Sequence, residues 1–278
     1  MKFIYPNVEI LEQGPGLQGV YEAICKAAST CYKSEAKTGE SAKAFVDTLI
    51  KNKHFAMLEF GTVYLQYPEE KHFVKYYENP YSTIQLCENH TFAITTNYRV
   101  LVENNWLDDL KYLCEPTESH RKKYSVLFTT SIGIGREFTR HRVFSFAQES
   151  TRYCNYSKDK FEAQLTFILP LWSNIGEADY TAPLRADELN TRDLALSWSC
   201  YEAEKFYFDM LEDGCTPQQA REVLPLCTKS ELCMCGFEGD WKHFFDLRLR
   251  GTTGKPHPDA KCCAELLHNK FTEKGITL

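Results

Sequence analysis

The segment T-R-H-R-V-F-S-F-A-Q-E-S-T-R-Y at 139–153 sets Arg140, His141 and Arg142 side by side and then places Gln148, Ser150 and Arg152 at alternate positions. Arginine offers a planar fork of donors for carboxylate or phosphate, serine a hydroxyl, and glutamine an amide that both donates and accepts. In an extended strand, Gln148, Ser150 and Arg152 share one face while Glu149, Thr151 and Tyr153 share the other. The first face suits a phosphate or a pyrimidine edge; the alternative is a solvated, salt-bridged face, since charge is ordinarily exposed. If 136–143 is helical, successive side chains fan out by about 100°, which sends Arg140 and Arg142 to nearly opposite sides. Either one of them is a surface residue, or the segment lies between two ligands or two subunits.

Two later arginines join them. T-P-Q-Q-A-R-E-V-L-P reads as a short helix with Thr216 as N-cap and Pro217 in the first turn, carrying Arg221 ahead of Pro225. G-D-W-K-H-F-F-D-L-R-L-R-G reads as another, with Trp241, Phe244, Phe245 and Arg248 at i, i+3, i+4 and i+7. Arg248 thus continues an apolar stripe. It either meets a buried anion or polar ligand, or snorkels to solvent or a carboxylate.

The elements that must position these residues follow from periodicity. Residues 16–33 and 39–52 read as amphipathic helices before a strand F-G-T-V-Y-L-Q-Y, and E-E-K-H-F-V-K-Y-Y-E-N-P-Y-S-T-I-Q-L as an ordered excursion. N-Y-R-V-L-V-E-N-N-W-L-D-D-L-K-Y-L-C reads as helix, and Y-S-V-L-F-T-T-S-I as a buried strand delivering the chain to the basic motif. Ser131 is a candidate helix cap. Its two following glycines make no G-x-G-x-x-G dinucleotide fingerprint, and there is no P-loop.

With 278 residues, 43% hydrophobic and 14% aromatic, the chain can bury a substantial core, and no linker or repeat divides it. A formal net charge of -6 disfavours general attraction to nucleic acid or anionic membranes, so any anion site must be local. The N-terminus lacks a basic segment followed by an apolar run, and no stretch approaches the roughly 20 apolar residues of a membrane span; a cytoplasmic protein with reduced thiols is expected. Its twelve cysteines form no C-x-x-C pair, with Cys233 and Cys235 in a strand-like run and Cys262 and Cys263 adjacent in a helix. Buried structural thiols and no metal are expected.

The R-H-R, seven residues, then Ser150 pattern, extended by S-T-R-Y, resembles the signature of flavin-dependent thymidylate synthases. A-R-E-V-L-P at 220–225 and H-F-F-D-L-R at 243–248 resemble that family's two later motifs in the same order, and H-F-A-M-L-E at 54–59 its early element. The resemblance implies one domain over 1–278 with an α/β (α+β) fold, a mixed, largely antiparallel sheet flanked by helices, and FAD bound without a Rossmann motif. It implies reductive methylation of dUMP to dTMP, with 5,10-methylenetetrahydrofolate as carbon donor and NADPH as reductant, in a homotetramer whose active sites are shared between subunits. By the same resemblance Glu137, Arg140, Gln148, Glu149, Ser150, Thr151, Arg152, Arg221 and Arg248 serve dUMP, with Arg248 as the catalytic arginine beside the uracil that favours ionisation at N3. His54, Ala56, Glu59, Arg140, His141, Arg142, Gln148 and His243 serve FAD. No cysteine nucleophile is implied, which leaves Cys154 a bystander and Ser150 a ligand-holding hydroxyl. The sequence departs from the commoner family pattern at Ala56, Phe60, Glu137, Ala147 and Gln148. Arg142, Arg152, Arg221 and Arg248 are thus expected to converge, across neighbouring protomers, on a flavin and a nucleotide.

Overall fold

The computed structural model describes residues 1–68, 74–88, 90–185 and 190–278. Strands β1 (Lys2–Ile4) and β2 (Asn7–Leu11) open the chain, followed by helices α1 (Gly16–Tyr32) and α2 (Gly39–Lys51) and a 3-10 turn at Phe55–Phe60. Next come β3 (Thr62–Pro68), the single-turn α3 (Val74–Tyr77), β4 (Thr83–Leu86), β5 (Thr91–Asn97) and α4 (Tyr98–Glu103). The site-bearing stretch runs β6 (Lys123–Ser131), α5 (Ile132–Phe138), β7 (Ser145–Gln148), β8 (Thr166–Ile168) and β9 (Ala178–Asp179). Helices α6 (Thr191–Glu212) and α7 (Pro217–Ala220), strand β10 (Lys229–Phe237), α8 (Glu238–Phe245) and α9 (Pro258–Glu273) complete it.

The strands divide among three sheets. An antiparallel sheet ordered β2-β6-β10-β7 carries the basic motif, a second antiparallel sheet is ordered β3-β5-β4, and a small mixed sheet is ordered β8-β1-β9 with β1 and β8 parallel. The α+β, largely antiparallel expectation therefore stands.

Strand β10 is buried on both faces, which explains its near-continuous apolar run. Leu232 and Met234 join Val126 and Phe128 of β6 against Trp241, Phe244 and Phe245 of α8 and Leu267 of α9. On the other face Cys233 and Cys235 pack with Ala147 of β7, Phe60 and Ala27 of α1. That use of Cys233 and Cys235 as small hydrophobes matches the sequence reading. All twelve thiols are free, and no cluster of metal-ligating side chains occurs among the described residues. No helix is long and apolar enough to cross a membrane among those residues.

Three local readings change. Helix α5 stops at Phe138, so 139–143 is turn rather than helix. The reason is a tertiary cap: Arg248 Nη2 donates to the Glu137 carbonyl at 2.8 Å, taking up a helix-end acceptor, and His141 is buried just beyond. The strand expected through Arg152 ends at Gln148, after which Tyr153 and Cys154 amides both donate to the Ser150 carbonyl in a turn. The helix expected at 97–114 breaks after Glu103 at Asn104 and Asn105, the latter at φ 58°, and resumes as a 3-10 turn at Leu107–Tyr112. The excursion after β3 supplies α3 and β4, while its residues 69–73 lie outside the described ones.

Candidate functional site

The sequence from Ser131 to Ser150 folds back on β10 so that α5, the end of β7 and the start of β10 line a cavity of about 590 Å³. Ser131 caps α5 as expected, its side chain accepting from the Ile134 amide at 3.2 Å. The cavity wall holds Arg136, Gln148, Ser150, Thr151, Arg152, Arg221 and Ser230, with Ile132, Leu224 and Leu226 as its apolar part. Gln148, Ser150 and Arg152 meet there without being one strand face. A Cβ on Gly135 would stand 3.0 Å from Gln148 Nε2, so glycine is what lets that amide approach α5 and donate to Ser230 Oγ at 3.2 Å. Thr216 caps α7, its amide donating to Gln219 Oε1 at 2.8 Å, and the following turn aims Arg221 at the cavity, with Nη1 3.4 Å from Thr151 Oγ1. Arg136 and Arg152 are exposed. Three guanidinium groups and three hydroxyls line one hollow, with Glu222 3.5 Å from Arg221 at its edge, a donor set whose chemistry suits a phosphate.

Arg248 lies elsewhere. Helix α8 ends in a π turn at Asp246–Arg250, and the guanidinium crosses to the end of α5: Nη1 meets Glu137 Oε2 at 2.7 Å and Nε donates to His141 Nε2 at 3.0 Å. Its cation also sits 5.9 Å from the Phe138 ring centre. Of the two readings left open for this residue, a half-buried arginine meeting a carboxylate is the one observed in this chain. His243 is exposed, with its ring 6.4 Å from that of His141.

The remaining residues spread over the surface beside this cluster. Arg140 and Arg142 are exposed, with the buried His141 between them. His54 and Ala56 are exposed on the 3-10 turn at Phe55–Phe60, and Glu59 pairs with Arg99 at 2.6 Å. Glu149 borders the cavity, but its carboxylate is committed to Lys229 at 2.8 Å. Of the four arginines expected to converge, Arg152 and Arg221 share the cavity, whereas Arg248 is held by Glu137 and Arg142 faces outward.

A family profile described as thymidylate synthase complementing protein (Thy1) matches residues 118–273, which hold every element of the cavity and the Arg248 cluster. The chain belongs to that family. It is 30% identical over 151 residues to a probable flavin-dependent thymidylate synthase of Paramecium bursaria Chlorella virus 1, a match covering 51% of this chain and 64% of that protein. It is 27% identical over 143 residues to a flavin-dependent thymidylate synthase of Synechocystis sp., with the same two shares of 51% and 64%. The matches thus span less than two thirds of those curated relatives. A solved UMP/dUMP methylase PolB from Streptomyces cacaoi aligns over 98% of this chain and 93% of its own at 16% identity, with a TM-score of 0.47.

In this member of the thymidylate synthase complementing protein family, sequence reasoning missed Arg136 and Ser230. Arg136 was visible as a cation one turn before Arg140, and Ser230 as the polar start of an apolar strand, yet neither has a motif of its own. Burial, then the Arg248 and His243 charges, push the His141 imidazole down to about 4, which keeps Nε2 free to accept from Arg248. A histidine whose folded value lies below its unfolded one contributes stability that is complete above the unfolded value near 6.5 and is lost as pH falls toward 4. Replacing His141 by Gln is expected to flatten the stability profile between those two pH values, as measured by urea unfolding at a series of pH. An unchanged slope would contradict the assignment.

Proposed function

We propose that this protein is a flavin-dependent thymidylate synthase, a methyltransferase that makes dTMP from dUMP, with 5,10-methylenetetrahydrofolate as carbon donor and NADPH as reductant. The observation that carries the reading is the meeting of Arg136, Arg152 and Arg221 with the Ser150, Thr151 and Ser230 hydroxyls around one cavity, in a chain whose net charge is -6. Such a wall binds a nucleotide monophosphate through its dianionic end, by charge-assisted hydrogen bonds. Gln148, with an amide that can donate and accept, is suited to a pyrimidine edge.

Arg140 and Arg142 have the donor chemistry for the diphosphate of FAD: both are exposed, and neither is ion-paired to a carboxylate among the described residues. The donor set therefore fits the cofactor, with His141 and Gln148 beside it and His54, Ala56, Glu59 and His243 as further contacts. When bound, FAD supplies the electron transfer from NADPH that the side chains cannot perform. The chain's own task is to hold its ligands in register and to stabilise negative charge on the pyrimidine. Arg248 uses three of the five guanidinium N–H groups on Glu137 and His141, which leaves donors for the N3 edge of a uracil and lowers the proton affinity there. Its place outside the cavity wall supports active sites assembled between subunits of a homotetramer, each subunit a single domain over 1–278.

Purified protein is expected to be yellow, to release flavin on denaturation, and to oxidise NADPH faster when dUMP is present. A colourless protein that takes up no FAD would end the reading. Cys154 is buried, burial and the Glu149 charge push its thiol up to about 11, and it does not line the cavity. Cys154→Ser should keep dTMP formation within about twofold of the parent, since a thiol so rarely ionised is no nucleophile. A loss of turnover beyond a hundredfold would restore a cysteine mechanism.

A further inference from the structure

Between the two cavity residues Gln148 and Ser150 stands Glu149, which borders the cavity but commits its carboxylate to Lys229 and Tyr156. The Glu149 side chain is only 1% exposed, and its amide and both carboxylate oxygens are engaged. Its amide donates to the Glu231 carbonyl at 2.8 Å. One carboxylate oxygen, Oε2, takes the Lys229 ammonium at 2.8 Å and the Glu231 amide at 3.2 Å. The other, Oε1, accepts from the Tyr156 hydroxyl at 3.3 Å. Lys229, itself 13% exposed, also meets Glu231 at 3.2 Å, and Glu231 pairs with Lys33 just beyond α1.

The geometry is that of a staple. Residues 150–155, which carry Ser150, Thr151 and Arg152, form a turn with no ladder bonds to β10. The Glu149 carboxylate fixes the start of that turn to β10 and ties it to Tyr156 beyond its end. From the α1 side, the Ser150 amide donates to the Cys31 carbonyl at 3.0 Å. A buried carboxylate with this many partners holds one conformation strongly, because any other takes from the interior Lys229 the nearer of its two carboxylates and leaves the Glu149 charge without its bonds.

We propose that Glu149 is a positioning residue for the anion-binding turn: it touches no ligand and sets nucleotide affinity by holding Ser150, Thr151 and Arg152 in place. The inference rests on reading the cavity as the dUMP site. The carboxylate spends its bonds on Lys229, the Glu231 amide and Tyr156, and Lys229 balances its charge, so its effect passes through the turn.

The test is calorimetric titration of the flavin-loaded protein with dUMP, alongside flavin content and the rate of flavin reduction by NADPH. Glu149→Ala is expected to weaken dUMP binding by about tenfold or more, with flavin content and reduction by NADPH unchanged. Glu149→Gln, whose amide oxygen still accepts from the Glu231 amide, should recover most of that loss. If Glu149→Ala fails to fold, Tyr156→Phe removes one arm of the staple while keeping the ring, and should weaken dUMP binding by about threefold. Unchanged dUMP affinity in whichever of these folds, or parallel loss of flavin and nucleotide, overturns the inference. A parent protein that takes up flavin but binds no dUMP overturns the nucleotide reading itself, and this inference with it.

Discussion

Arg248→Ala is expected to lower dTMP formation by about a thousandfold or more while leaving the protein folded and able to take up flavin. Loss of a single preorganised donor to developing charge costs on the order of a hundred- to a thousandfold in turnover. Here the same side chain also fixes Glu137 and His141, so the variant loses both the cation and the direction it imposes. Arg248→Lys should rescue little, because an ammonium cannot bond Glu137 Oε2, the Glu137 carbonyl and His141 Nε2 in one plane. Product assays with saturating dUMP check this. Turnover within tenfold of the parent would remove Arg248 from the chemistry.

The second large effect is on stability. Phe244 is fully buried and its ring lies 5.1–6.4 Å, between centres, from several others, including Phe138 at 5.1 Å, His141 at 5.1 Å and Trp241 at 5.5 Å. Truncating a core phenylalanine to alanine costs about 3–5 kcal/mol, through lost burial and the void it leaves. Phe244→Ala should therefore lower the melting temperature by on the order of 10 °C. It should also loosen His141 and, through it, Arg248, so activity should fall at temperatures where the protein is still folded. Calorimetry with parallel activity measurements would reveal this; an unaltered transition would mean that the α8 face is not the core it is taken to be.

How much of this was legible in the residues themselves varied with the range of the interaction involved. Strand β6, the helices at Gly16–Tyr32 and Gly39–Lys51, the Thr216 cap and the Trp241, Phe244, Phe245 stripe follow from local periodicity and capping, and the structure bears each out. The meeting of Arg152 with Arg221 was legible as similar chemistry but not as proximity, since seventy residues separate Thr151 from the Arg221 that contacts it. The errors share a cause. Residues 139–143 have helix-compatible composition, yet a guanidinium arriving from residue 248 closes the helix early. Likewise the alternation at 148–152 predicts a strand, but β10 offers register partners only as far as Gln148. Glu149 was grouped with the ligand-binding residues by motif, and nothing in its neighbours announces the buried lysine eighty residues on. Tertiary partners decide such positions, and local sequence carries no trace of them.

The π turn at Asp246–Arg250 gives chain length a say in where Arg248 reaches. Such a turn is one residue longer than its α counterpart, a widening that helices seldom tolerate except where a side chain must be aimed. Shortening it by one amino acid would rotate everything downstream by about 100° and swing the cation off Glu137, with no functional residue replaced. Aim at this corner is therefore encoded by a count rather than by an identity.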